Sequence, residues 1–182
     1  MEKTHSPWSV PVVLQDIPET GLHLEIEPPE ATRGEVAKFA GLRELPRLSA
    51  VFDLERRGAA VHVRGRVTGL VGQTCVVSLE PMQSELDEPV DVTFAPLPAG
   101  GEAGETAAVG HHADAEENEA PEPLVGGTLD LGVLATEFLI LGIDPYPRKP
   151  GAMFAPPKVA DEAAHPFAAL AALKKRPPGG QS

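Results

Sequence analysis

The sequence has a single cysteine, Cys75, and few aromatic residues. Aromatic side chains make up 4% of the 182 residues, so few large groups are available to build a wide core. One cysteine excludes an internal disulfide, which suits a reducing compartment. The longest apolar run, near residues 138–142, is far too short to cross a bilayer, and residues 1–15 lack the pattern of a signal peptide. These absences lead us to expect a cytoplasmic protein with no membrane partner.

Basic residues are scarce as well. Fifteen Lys and Arg face 27 Asp and Glu, which gives a formal net charge of -12. Such a chain repels bulk nucleic acid at long range, which argues against a non-specific DNA binder but leaves room for a local basic face. Residues 97–127 contain no Lys or Arg and are rich in Gly, Ala, Pro and acidic residues. This composition predicts a long disordered acidic loop, either an inert solubilising insertion or a mobile arm that mimics nucleic acid.

Alternating apolar and polar residues predict several strands in the remaining chain. The stretches are residues 8–16, 21–27, 47–57, 59–69, 70–79 and 88–96, with the stretch at 70–79 read as a possible continuation of the one before it. The two stretches on either side of Gly58 predict an antiparallel hairpin. Since no long helix separates the strands between residues 47 and 96, the sheet is expected to be antiparallel.

Three segments carry helix signals. Thr32, with Glu35 three residues on, predicts an N-cap for a helix that follows Pro28 and Pro29. Asp130 predicts the cap of a second helix that ends at Gly142, before a proline-rich exit. Residues 167–175, FAALAALKK, predict a short amphipathic helix that needs a docking surface, because such a helix is marginal alone.

These elements together predict an α+β fold, mainly an antiparallel β-sheet that curls toward a barrel, with two or three short helices. We expect a single domain over residues 1–155, interrupted by the disordered acidic loop at 97–127. Residues 156–182 are expected to form a flexible tail that contains the third helix.

Cys75 lies in the stretch TCVVSLEP, where three roles compete. A nucleophilic cysteine needs a basic or electropositive neighbour, and a zinc site needs further ligands. Position 78, where a C-x-x-C pair would place a second thiolate, is Ser78. Periodicity groups Cys75 with Val77 and Leu79 on one face of a strand, which favours a small buried hydrophobe. No metal or other cofactor is therefore predicted.

No motif of a known catalytic chemistry is present. The sequence has no G-x-S-x-G, no P-loop and no G-x-G-x-x-G after a strand. No catalytic residue and no small-molecule substrate can be assigned, and the expected protein is not an enzyme.

Basic side chains cluster on the predicted hairpin. His62, Arg64 and Arg66 alternate with valines on its second strand and so share one face, with Arg56 or Arg57 near the turn. On one face of the sheet they could contact RNA phosphates, since a guanidinium donates two hydrogen bonds to one phosphate. The alternative is an ordinary solvated face on which they pair with Asp53 and Glu55.

Two blocks together resemble the YceD-type family, the large ribosomal RNA subunit accumulation proteins of bacteria and plastids. The first is TCVVSLEPMQSELDEPVDVTFAP, and the second is LDLGVLATEFLILGIDPYPRKPG. The residues that carry the family pattern are Cys75, Leu79, Glu80, Pro81, Asp130, Leu131, Glu137, Leu141, Asp144, Pro145 and Pro147. Many family members have a second cysteine at the position of Ser78, so a metal or redox role of such a pair does not carry over to this chain.

The resemblance implies a non-enzymatic factor for accumulation of the large-subunit (23S-type) rRNA and for ribosome assembly. Binding of pre-rRNA or of a ribosomal protein would serve this role. The alternative is an acidic adaptor or chaperone that holds a basic ribosomal protein without touching RNA. The oligomeric state is left open by the sequence.

Overall fold

The computed structural model describes residues 6–96, 121–124 and 126–154. The elements of this part are β1 (Pro11–Val13), a 3-10 turn (Leu14–Asp16), β2 (Leu22–Ile26), α1 (Glu30–Phe39), β3 (Glu44–Arg57), β4 (Ala60–Thr74), β5 (Pro81–Pro96), β6 (Glu122–Leu124), β7 (Thr128–Asp130) and α2 (Leu131–Gly142). None of the described helices is long and apolar enough to span a membrane.

The main sheet has five strands in the order β2-β3-β4-β5-β6. Pairing is antiparallel from β2 to β5, as the sequence predicted, and only β6 runs parallel to its neighbour. The β3–β4 hairpin turns at Gly58, whose φ of 65° lies in the region that glycine adopts without steric cost. The predicted barrel is wrong, because β2 and β6 remain separate edges of the sheet. A short ribbon of β1 and β7 forms a second sheet.

One face of the main sheet carries the core. Its apolar positions alternate along the strands, which is the reason that these residues pair as a half-buried sheet. The fully enclosed side chains include Leu48, Phe52, Leu54, Val61, Val63 and Val67. Helix α1 packs against β3, and helix α2 covers β4 and β5 and contacts β1. The opposite face of the sheet, here called the outer face, carries polar and charged residues.

Helix α2 begins as predicted. The Asp130 carboxylate accepts hydrogen bonds from the backbone N–H groups of Gly132 and Val133, at 3.0 and 3.1 Å. It also accepts from the N–H of Val10, which ties the cap to the strand before β1. Capping of this kind satisfies amide groups that have no partner inside the helix.

The predicted cap of α1 is wrong. Pro29 is the N-cap, and no side chain caps this helix; Thr32 lies inside its first turn. The helix starts earlier because the Pro29 carbonyl already accepts from the N–H of Arg33. A proline pair fixes the approach of the chain without needing a hydroxyl cap.

The predicted strand at residues 70–79 is partly wrong. Strand β4 continues without interruption to Thr74, and Cys75 starts a turn, here called the Cys75 turn and defined as residues 75–80. The N–H of Leu79 donates to the Cys75 carbonyl, and the N–H of Cys75 donates to the Glu80 carbonyl, both at 2.9 Å. Leu79 therefore does not share a buried face with Cys75; its side chain is 76% exposed.

Part of the predicted loop at 97–127 is ordered. Glu122–Leu124 form β6 beside β5, and Leu124 is buried. The first predicted strand, at 8–16, shortens to β1 followed by the 3-10 turn. Residues 97–120 and the predicted helix at 167–175 lie outside the described residues.

Candidate functional site

The arginines of the hairpin form ion pairs on the outer face. The contacts are Arg57 Nη2 with Glu55 Oε2 at 3.1 Å, Arg64 Nε with Asp91 Oδ2 at 3.4 Å, and Arg66 Nη1 with Asp87 Oδ1 at 2.5 Å. Two of these carboxylates come from β5, where the sequence had suggested partners on β3. All of these side chains are more than half exposed, so each pair is a weak, solvent-screened interaction.

His62 lies on the same outer face and shares Asp91 with Arg64, but it is buried, whereas Arg56 lies on the other face. His62 is only 5% exposed, and its Nε2 lies 2.6 Å from Asp91 Oδ1. This hydrogen bond is the main reason that the pKa of Asp91 lies below its ordinary value. Arg56 is paired with Val61 in the ladder, so it projects from the core face at the end of the hairpin. Of the five predicted contact residues, four lie on the outer face: Arg57, His62, Arg64 and Arg66. Three of these four, here called the arginine face, have exposed side chains, and His62 does not.

A second site forms where the two family blocks meet. The chain after α2, residues 143–154, is here called the exit segment, and it lies against the end of β4 and the Cys75 turn. The Val76 N–H donates to the Pro147 carbonyl at 2.9 Å, and Gln73 Nε2 donates to the Asp144 carbonyl at 2.8 Å. Segments about 70 positions apart in sequence therefore form one surface.

The Cys75 sulfur joins the two segments of this junction by hydrogen bonds. Cys75 is fully enclosed, and its Sγ accepts from the backbone N–H of Lys149 at 3.3 Å and from that of Ser78 at 3.4 Å. The Lys149 N–H, followed by the groups of Ser78, lowers the pKa of the Cys75 thiol to about 6, although burial acts in the opposite direction. The sulfur is thus a hydrogen-bond acceptor that joins the turn to the exit segment, which goes beyond the packing role that the sequence favoured.

An ion pair on the surface closes the same junction. Lys149 Nζ donates to Glu80 Oε2 at 2.8 Å, and this hydrogen bond is the main reason that the pKa of Glu80 is lowered. Pro81 follows directly as the first residue of β5. This contact of Glu80 could not be predicted from the sequence, because Lys149 lies 69 positions further along the chain.

Large apolar side chains of the Cys75 turn and the exit segment face solvent. Their exposed fractions are 44% for Val76, 76% for Leu79, 71% for Tyr146, 87% for Met153 and 73% for Phe154. Leu79 has a φ of 60°, which costs a non-glycine residue free energy and is typical of functional segments. We call these five residues the apolar surface. One signal of this surface is visible in the sequence: Tyr146 stands between two prolines, outside any helix or strand that could bury it.

The remaining family residues support the junction or lie apart from it. Asp144 Oδ1 accepts from the N–H of Tyr146 at 2.8 Å and shapes the exit segment, of which Pro145 is also a part. Glu137 lies on α2, where desolvation and the nearby Glu122 raise its pKa. Among the described residues, no group of three or more His, Cys, Asp or Glu side chains is arranged to hold a metal ion.

Comparisons with known proteins identify the family. A family model described as "Large ribosomal RNA subunit accumulation protein YceD" matches residues 63–174. Searches of curated proteins and of solved structures gave no match. The matched range includes the Cys75 turn, α2 and the exit segment, and it continues past the described residues to 174. Since the match covers more than half of the 182 residues, the chain belongs to the YceD family.

Proposed function

We propose that this protein is a non-enzymatic factor that supports accumulation of large-subunit rRNA by binding pre-rRNA or a ribosomal protein in the course of ribosome assembly. The observation that carries the proposal is the family match over residues 63–174, whose description names large ribosomal RNA subunit accumulation. The enclosed Cys75 supports a binding role, because its sulfur is used to hold two segments together.

The arginine face is the first candidate for RNA contact. Its guanidinium groups are exposed, and exposed ion pairs of this kind contribute about 0–1 kcal/mol each, so phosphates could replace the carboxylates at little cost. An arginine guanidinium that exchanges a carboxylate for a phosphate can still donate two parallel hydrogen bonds.

A basic ribosomal protein is the second candidate partner. The net charge of -12 favours it, as does the presence of a carboxylate beside each arginine of the outer face. The same charge would steer a basic partner toward this protein at long range.

The Arg66–Asp87 pair can separate the two candidates. Arg66→Gln should weaken binding to large-subunit rRNA several-fold and reduce the slope of log affinity against log salt by about one if a phosphate contact is lost. Asp87→Asn frees Arg66 and should strengthen RNA binding. For a basic protein partner, the two substitutions should have the opposite signs.

A matched control and a cellular measurement complete the test. Arg56→Gln makes the same change of charge on the other face of the sheet and should change RNA affinity less than Arg66→Gln. In cells, deletion of the gene should lower the level of large-subunit rRNA relative to small-subunit rRNA. Unchanged rRNA levels, together with no large-subunit rRNA or protein crosslinked to the chain, would contradict the proposal.

A further inference from the structure

The apolar surface is drawn from two segments that are hydrogen-bonded to each other. The hydrogen bond from Val76 N–H to the Pro147 carbonyl places Val76 beside the Tyr146–Pro147 step. A turn closed by the Ala152 N–H and the Lys149 carbonyl lies in the exit segment just before Met153 and Phe154. All five side chains of the apolar surface therefore belong to segments tied to one another by backbone hydrogen bonds. Contiguous exposed apolar groups usually mark an interaction site.

The chain itself supplies an occupant for this surface. The described residues end at Phe154, on the apolar surface, and residues 155–182 follow. Within them, Phe167, Leu170 and Leu173 repeat at a spacing that places three apolar side chains along one face of a helix. Such a short amphipathic helix needs an apolar surface to be stable in water. The family match ends at residue 174, so all of this segment except Lys175 lies inside the matched range, together with the Cys75 turn.

The connection between surface and segment has a suitable length. Twelve residues, 155–166, separate Phe154 from Phe167. This connection reaches at most about 45 Å when extended and about 20 Å on average as a coil. A connection of this length gives an effective concentration on the order of 1 mM. A segment whose intermolecular Kd for the surface is as weak as about 1 mM would therefore occupy it about half of the time.

We propose that the apolar surface at the junction of the Cys75 turn and the exit segment is the docking site of the chain's own C-terminal segment, residues 167–175. The apolar face of the segment covers Leu79, Val76 and Tyr146. This inference does not depend on which ribosomal partner the protein binds.

Paramagnetic NMR on the full chain tests the docking. A nitroxide is attached at Ala172→Cys, which a helical wheel places opposite Leu170, while enclosed Cys75 should stay unlabelled, as the wild-type chain treated in the same way will show. We expect the methyl signals of Val76, Leu79 and Met153 to lose at least half of their intensity relative to the reduced label. Core methyl signals of Val63 and Val67 report that the fold is intact.

Two matched variants decide the outcome. Leu170→Asp/Leu173→Asp in the labelled chain should restore the lost intensity, and Leu79→Asp, at an exposed position of the surface, should do the same. Absence of selective broadening in the labelled chain would overturn the proposal, as would broadening that survives both variants. Broadening that occurs only between a labelled and a separate isotope-labelled copy would also overturn it and would indicate docking between two copies.

Discussion

At the scale of single residues, the burial of Cys75 could be predicted from the sequence, whereas its role as a hydrogen-bond acceptor could not. Its burial follows from the small and β-branched residues around it, and the sequence analysis favoured burial for that reason. Its acceptor role does not follow, because the Lys149 N–H comes from a segment 74 positions away. Local pattern carries no information about which distant amide will point at a sulfur.

The lowered pKa of Cys75 predicts a pH dependence of stability. The pKa of the Cys75 thiol is about 6 in the folded state, whereas the pKa of an unfolded thiol is about 8.5. Between these values the unfolded chain binds more protons, so the free energy of unfolding should rise with pH in this window, and this contribution should be lost as the pH falls through 6. Urea unfolding at pH 5.5, 7 and 8.5 measures it.

The matched variant for this measurement is Cys75→Ser, which keeps a hydrogen-bond acceptor but does not titrate in the window. Its free energy of unfolding should rise less between pH 6 and 8.5 than that of the wild-type chain. If the free energies of unfolding of the two proteins change with pH in parallel, the thiol is not more acidic in the folded state than in the unfolded state.

At the scale of elements, close contact between β3 and β4 requires a glycine in the middle of a long strand. Gly65 of β4 pairs with Phe52 of β3, and a Cβ atom there would overlap the Val51 carbonyl oxygen and approach Phe52 Cδ1 to 2.8 Å. Glycine within a strand is ordinarily unfavourable, and such close approach by a neighbour is one reason to find it there. The sequence analysis placed the strand correctly but could not see this contact.

Two alanine substitutions should therefore have opposite effects on the free energy of unfolding. Gly65→Ala should lower it by about 1–3 kcal/mol, because the added methyl group overpacks the interface of two strands. Gly34→Ala should raise it by about 0.5–1 kcal/mol, because Gly34 lies within α1 and a Cβ there meets no atom within 4 Å. Denaturant titrations of both variants measure these two changes in the free energy of unfolding. An unchanged free energy for Gly65→Ala would mean that β3 and β4 can move apart at this position without destabilising the fold.

The whole molecule is larger than the range that the family model matches. The match begins at residue 63, inside β4, and so omits β2, α1 and β3. These elements contribute Leu48, Phe52 and Leu54 to the core and provide the hydrogen-bonded neighbour of β4. A domain boundary at residue 63 would cut β4 and leave the rest of this long strand with an open edge.

A fragment of residues 63–182 should consequently fail to fold. We expect a proton–nitrogen NMR spectrum with narrow dispersion and a tendency to aggregate, since an unpaired apolar strand is a template for association. A fragment of residues 6–182, which keeps every described element, is the control and should resemble the full chain. A well-dispersed spectrum from the shorter fragment would show that β4 to α2 form a core of their own.

The sequence predicted local features of the fold well and its long-range contacts poorly. The hairpin at Gly58 and the helix capped by Asp130 follow from patterns within about fifteen residues, and both are confirmed. The predicted curl toward a barrel depends on how far the strands bend along the whole sheet, and it was wrong. The roles of the candidate RNA-contact residues stay a prediction.

The parallel pairing of β5 and β6 has a consequence for the length of the chain between them. Phe94 lies beside Glu122 and Pro96 beside Leu124, so the two ends of the intervening stretch are adjacent strand positions. Closing a loop between adjacent ends costs free energy that grows only with the logarithm of its length, about 0.6 kcal/mol for each doubling. Relatives with inserts of very different size could therefore share this sheet, and a fluorescent reporter spliced in after Pro96 should leave the rest of the protein folded.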